Sequence, residues 1–155
     1  MKKLLVPAAV AALALPTIAT AARAPGAATT PSAGDMTVLT LTVRNSRFGR
    51  VLFDGKGRVL YGFTRDKRGG KSTCYGACAT AWPVYFKKGV LRAGAGVKRS
   101  LIGTVQRRDG RLQITYNGWP LYYYEHDRPG QILCQNVDEF GGLWLIVKPS
   151  GALLR

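Results

Sequence analysis

Acid is scarce in this chain: 8 Asp and Glu against 23 Lys and Arg in 155 residues. A surface so poor in carboxylate disfavours cationic partners and favours anionic ones. Histidine occurs once, as His126, so no pair of imidazoles can share a metal. As a general base it would need a nucleophile, and none is marked beside it. Cysteine occurs three times, at Cys74, Cys78 and Cys134, without the Cys-x-x-Cys spacing of thiol oxidoreductases. The one long apolar run, residues 4–19, is broken by Pro7 and Pro16 and does not make a stable membrane span. No nucleic-acid fold signature accompanies the positive charge.

What is present at the start reads as an export signal. Lys2 and Lys3 precede the apolar run, which ends in Ala19-Thr20-Ala21, a small-x-small cleavage site. A second site, Ala22-Arg23-Ala24, is followed by Pro25 and is less favourable. The expected organisation is a signal peptide over 1–21, an Ala/Pro/Thr-rich leader over 22–36, and one domain over 37–155. No cysteine near the cleavage site offers a thiol for a lipid anchor. The mature protein is therefore expected to be soluble and extracytoplasmic, with 21 basic residues left against 8 acidic ones. Anionic envelope polymers and acidic lipid head groups are the partners such a charge favours. The basic residues are scattered, with a denser run of Lys56, Arg58, Arg65, Lys67, Arg68 and Lys71.

The middle of the chain repeats itself. GRVLYGFTRDKRG at 57–69 aligns without gaps to GWPLYYYEHDRPG at 118–130. Tyr61 pairs with Tyr122, Phe63 with Tyr124, Asp66 with Asp127, and Gly69 with Gly130. Downstream, after a one-residue shift, Trp82 matches Trp144. Two repeats are expected, at about 49–86 and 111–151. Each opens as a hairpin. In the second, residues 112–116 form a strand, Asn117-Gly118 a tight turn, and 119–124 the return, with Pro120 pointing to an edge. In the first, 50–53 and 58–63 flank a looser Asp54-Gly55-Lys56-Gly57 turn. Further strands are expected at 37–44, 101–107 and 143–148, and one short helix within 74–81, ended by Trp82-Pro83. The fold class is mainly β: a small antiparallel domain built from two hairpin-based repeats, with a helical segment near the Cys-x-x-x-Cys stretch.

The paired Tyr-x-aromatic-x-x-Asp elements, the STCYGACATAWP stretch at 72–83 and TYNGWPLY at 115–122 resemble the bacterial secreted repeat of unknown function family. Its members are often described as predicted lipoproteins. The resemblance spans about 49–151. It implies an exported tandem-repeat protein and brings no established activity; the missing lipid-accepting cysteine departs from the lipoprotein label.

On a strand, Tyr61 with Phe63, and Tyr122 with Tyr124, put paired rings on one face. Asp66 and Asp127 follow at Gly-rich turns, where an Asp commonly accepts from the turn's own amides, and Pro129-Gly130 suits the centre of a type II turn. These six residues are ligand-binding candidates, read first as core aromatics with turn-capping carboxylates. Lys67, Arg68 and Lys71 are anion-contact candidates. A local Cys74–Cys78 disulfide is the leading pairing in an oxidising compartment, with a cross-repeat bridge to Cys134 as the alternative. Cys74, Cys78, Cys134 and His126 would have the ligand count for zinc but the wrong compartment. Glu125 and Asp127 are too close in sequence to resemble a glycosidase pair. Trp82, Trp119 and Trp144 are expected as core anchors, with Trp119-Pro120 as an alternative stacking ledge.

No catalytic residue, metal or cofactor is expected. The chain reads as a non-enzymatic, extracytoplasmic binding or interaction module for anionic envelope material. The competing reading is a redox or metal-handling protein using the cysteines and His126.

Overall fold

A computed structural model describes residues 37–155; the expected signal peptide and leader lie outside the described residues. In chain order the strands are β1 (Val38–Ser46), β2 (Gly49–Asp54), β3 (Tyr61–Phe63), β4 (Val90–Ala93), β5 (Ile102–Gln106), β6 (Leu112–Tyr116), β7 (Trp119–Pro120), β8 (Val137–Glu139) and β9 (Gly142–Ile146). An α-helix, α1 (Ala77–Ala81), lies between β3 and β4. The strands form three small sheets in the orders β2-β1-β4, β3-β9-β8 and β5-β6-β7. Pairing is antiparallel except where β4 joins β1 in parallel.

Both hairpins begin as their turns dictate and then part. In the second, Asn117 (φ 50°) and Gly118 (φ 79°) carry the tight turn, and β7 pairs with β6 as an edge strand. That edge position tolerates Pro120, which has no amide to donate. In the first, Asp54 Oδ1 accepts from the Lys56 and Arg58 amides, closing the Asp-Gly-Lys-Gly turn. Beyond Leu60, whose amide donates to Leu52 O, the chain leaves β2, and Tyr61–Phe63 pairs with β9. The expected return strands are therefore shorter than residues 58–63 and 119–124, because each exchanges its hairpin partner for the other repeat.

The central exchange lies at Tyr61 and Tyr122. Each donates its amide to the other's carbonyl at 2.9 Å. The turns repeat the gesture: Gly69 N donates to Gly118 O at 2.9 Å, and Gly130 N to Gly57 O at 2.8 Å. Strand alternation divides the interior. Val51, Phe53, Val59, Tyr61 and Phe63 face one cluster with Trp82, Tyr122 and Trp144. Leu52 and Leu60, the intervening residues, face a second with Tyr85, Ile114, Tyr116 and Leu121.

Candidate functional site

The repeated motif is built from both halves at once. Tyr61 of the first repeat donates its hydroxyl to Asp127 Oδ2 of the second at 2.6 Å, and Tyr122 of the second donates to Asp66 Oδ2 of the first at 2.7 Å. The other carboxylate oxygens tie down the loops that follow. Asp66 Oδ1 accepts from the Thr73 amide and hydroxyl, and Asp127 Oδ1 from the Leu133 amide. Neither carboxylate accepts from the amides of its own turn, as expected of a turn cap; each instead holds the loop that follows and receives the opposite repeat's tyrosine, because the fold brings those donors closer. The turns themselves form as expected, with Gln131 N donating to Arg128 O around Pro129-Gly130.

The rings interlock by the same exchange. Phe63 stacks on Trp144 and Trp144 on Trp82, each pair with centroids 4.0 Å apart, and Tyr124 lies against Trp82 at 4.9 Å. Tyr61 meets Trp82 edge-on, and Tyr122 meets Trp144 in the same way. Aromatic pairs of this kind contribute roughly 0.5–1.5 kcal/mol each beyond their burial. Glu139 serves both indoles, accepting Trp82 Nε1 on its carboxylate and Trp144 Nε1 on its backbone carbonyl.

Burial makes this arrangement a closed one. Tyr61 and Tyr122 are 0% exposed, Phe63 1%, Asp66 2% and Asp127 5%. Tyr124, half-buried, is the only member of the six with appreciable surface. None of them lines any of three surface concavities of about 350 to 490 Å³ among the described residues. Desolvation raises both carboxyls above the usual aspartate range, against the opposing pull of their tyrosine and amide donors. Desolvation likewise pushes the Tyr61 and Tyr122 hydroxyls well above the ordinary phenol range, reinforced by the adjacent carboxylates. Such hydroxyls stay protonated and donate.

Each tyrosine–aspartate pair clasps the two repeats together, and sequence reasoning missed a charged extension of the Tyr122–Asp66 clasp. Buried Arg107 donates through Nη1 to Ser72 Oγ and Gln113 Oε1 and through Nη2 to Cys74 O. Ser72 and Tyr122 hydroxyls meet at 2.6 Å, so a directed chain runs from Arg107 through Ser72 and Tyr122 to Asp66. No spacing pattern announces it, since Ser72, Arg107 and Gln113 converge only in the fold.

The remaining candidates separate. Lys67 and Lys71 stand exposed, whereas exposed Arg68 is tied to the opposite hairpin through Asn117 O and Oδ1. Cys74 and Cys78 form the local disulfide, leaving Cys134 as the free, half-buried thiol. The bridge removes two of the four ligands of the zinc alternative, and the described residues hold no metal-ready cluster of His, Cys, Asp and Glu. His126 is exposed, 3.5 Å from Glu125 and edge-on to Tyr124. Trp82 and Trp144 are fully buried, and Trp119 is half-buried on β7.

The family described as "secreted repeat of unknown function" matches residues 42–85 and 103–148. This chain belongs to that family. The matched spans start earlier than the expected repeats, within β1 and within β5, so the family's unit includes part of the strand before each hairpin. Comparison with curated proteins and with solved structures returned no match. None of the described helices is long and apolar enough to cross a membrane.

Proposed function

We propose that this secreted repeat protein is a non-enzymatic binding module for anionic envelope material. The observation behind this reading is where the few carboxylates go. Asp66 and Asp127 are enclosed in the clasps, Asp54 is buried in its turn, and Glu139 accepts from an indole. Among the described residues, one ion pair joins a Lys or Arg to a carboxylate: Arg111 to Asp109. The fold draws these four of the seven described carboxylates inward as hydrogen-bond acceptors; Asp109, Glu125 and Asp138 stay exposed, far too few to compensate the basic side chains of the surface. Exposed cations without carboxylate partners attract polyanions over a Debye length, about 8–10 Å at ordinary ionic strength.

Sedimentation with vesicles and with isolated wall polymer tests the reading. The protein is expected to co-sediment with anionic vesicles or polymer and to stay in solution with neutral vesicles. Equal partition onto neutral and anionic surfaces would refute it.

A further inference from the structure

The two halves differ in the chain that follows Tyr85 and Val147, where their symmetry predicts likeness. After β9 the chain turns back on itself: Gly151 N donates to Lys148 O, Lys148 N to Ala152 O and Leu154 N to Ile146 O. That fold-back lays Leu153 over Gly62, so close that a Cβ at Gly62 would come within 2.6 Å of Leu153 Cδ2. The matching stretch of the first repeat, beyond Tyr85 and Phe86, does not return. It leaves through Gly89 to form β4 and pair with β1. Tyr123 stands where the other half has Gly62, and a cleft of about 480 Å³ stays open beside it. Volumes of a few hundred Å³ suit small ligands.

The chemistry of this cleft is specific. Its charged rim is Lys56, Arg58 and Lys88. The lone acid, Asp54, is already satisfied, with Oδ1 accepting the Lys56 and Arg58 amides and Oδ2 the Tyr123 hydroxyl at 3.0 Å. Arg58 lies over the Tyr123 ring, with Cζ 4.3 Å from the centroid, and is anchored through Nη2 to Tyr124 O at 2.7 Å. A guanidinium fixed in that way is pre-organised for an anion. The tyrosine and the half-buried Phe86 supply apolar and hydroxyl surface for a ring or polyol.

We infer that this cleft is a binding site for one anionic sugar or polyol unit, phosphorylated or carboxylated. The inference rests on the polyanion reading for its ligand class and gives that reading a specific site. The test uses the full exported chain with glucose 6-phosphate, glucuronate and, as the neutral control, glucose, followed by NMR titration.

The expected result is saturable one-to-one binding of at least one of the two anions, with shifts at Phe86 and Tyr123 and none with glucose. Lys56→Glu combined with Lys88→Glu should weaken that binding about ten-fold or more, the scale of a lost charged hydrogen bond. Lys148→Glu, a charge reversal outside the cleft, should leave it within about two-fold. Val38→Trp, at an exposed position on the cleft wall, should block binding without altering charge. Absence of saturation with both anions, equal loss in Lys148→Glu, or unchanged binding in Val38→Trp would overturn the assignment. Polymer adsorption measured in parallel separates the two failures. Retained adsorption with no unit binding removes the cleft alone; unit binding without adsorption removes the polymer reading alone.

Discussion

At the residue scale the decisive feature is the crossed pairing of Tyr61 with Asp127 and Tyr122 with Asp66. Removing either hydroxyl leaves a buried carboxylate oxygen short of a donor. Tyr61→Phe and Tyr122→Phe are each expected to cost about 1–3 kcal/mol in urea unfolding. A Tyr61→Phe/Asp127→Asn cycle should show coupling, while Tyr61→Phe with Asp66→Asn should be closer to additive. The raised carboxyl pKa values give a pH signature. A folded-state value above the ordinary one, about 3.9 for aspartate, means that the native state holds more protons between the two values. The stability from Asp66 and Asp127 is then fully present below the ordinary aspartate value and is lost as pH rises through their raised values. The expected outcome is that replacing both by Asn flattens this pH dependence of stability, read as the difference between wild-type and variant unfolding curves. The repeated Tyr, aromatic and Asp positions were legible from the sequence. Their crossing was not, because spacing along a strand says nothing about which aspartate a tyrosine reaches.

At the scale of elements, the turns carry the legible part of the fold. Asn117-Gly118 and Pro129-Gly130 form as their residue types dictate, because positive φ and a fixed proline φ are local properties. The β8–β9 turn escaped notice because Phe140, at φ 57°, stands where Asn or Asp would announce it. β4 was missed because it pairs in parallel after a long connection, which no short-range signal marks. Gly118 tests the interlock at this level. A Cβ there would lie 2.8 Å from Gly69 N, whereas one at Gly110, at nearly the same φ, would meet nothing within 4 Å. Gly110→Ala should cost only the left-handed penalty, about 1–2 kcal/mol, and Gly118→Ala measurably more. The disulfide predicts a thiol count: in denaturant, one reactive thiol per chain before reduction and three after.

For the whole molecule, exchanged strands, turns and rings leave neither repeat with a private core. Tryptophan fluorescence and backbone circular dichroism should therefore report one coincident unfolding transition; two separated transitions would show that the repeats fold independently. The same interlock bears on charge, because Asp66 and Asp127, its closing acceptors, are withdrawn from the surface of a chain already poor in acid. The basic composition was plain in the sequence, but the near-absence of surface ion pairs follows only from where the fold places its carboxylates. The most direct measurement is the association constant of the full exported chain with an anionic wall polymer across a salt series. The account predicts a steep linear fall of log K with log salt concentration, as bound counterions are released. Binding that is absent at low salt, or unchanged across the series, would contradict it.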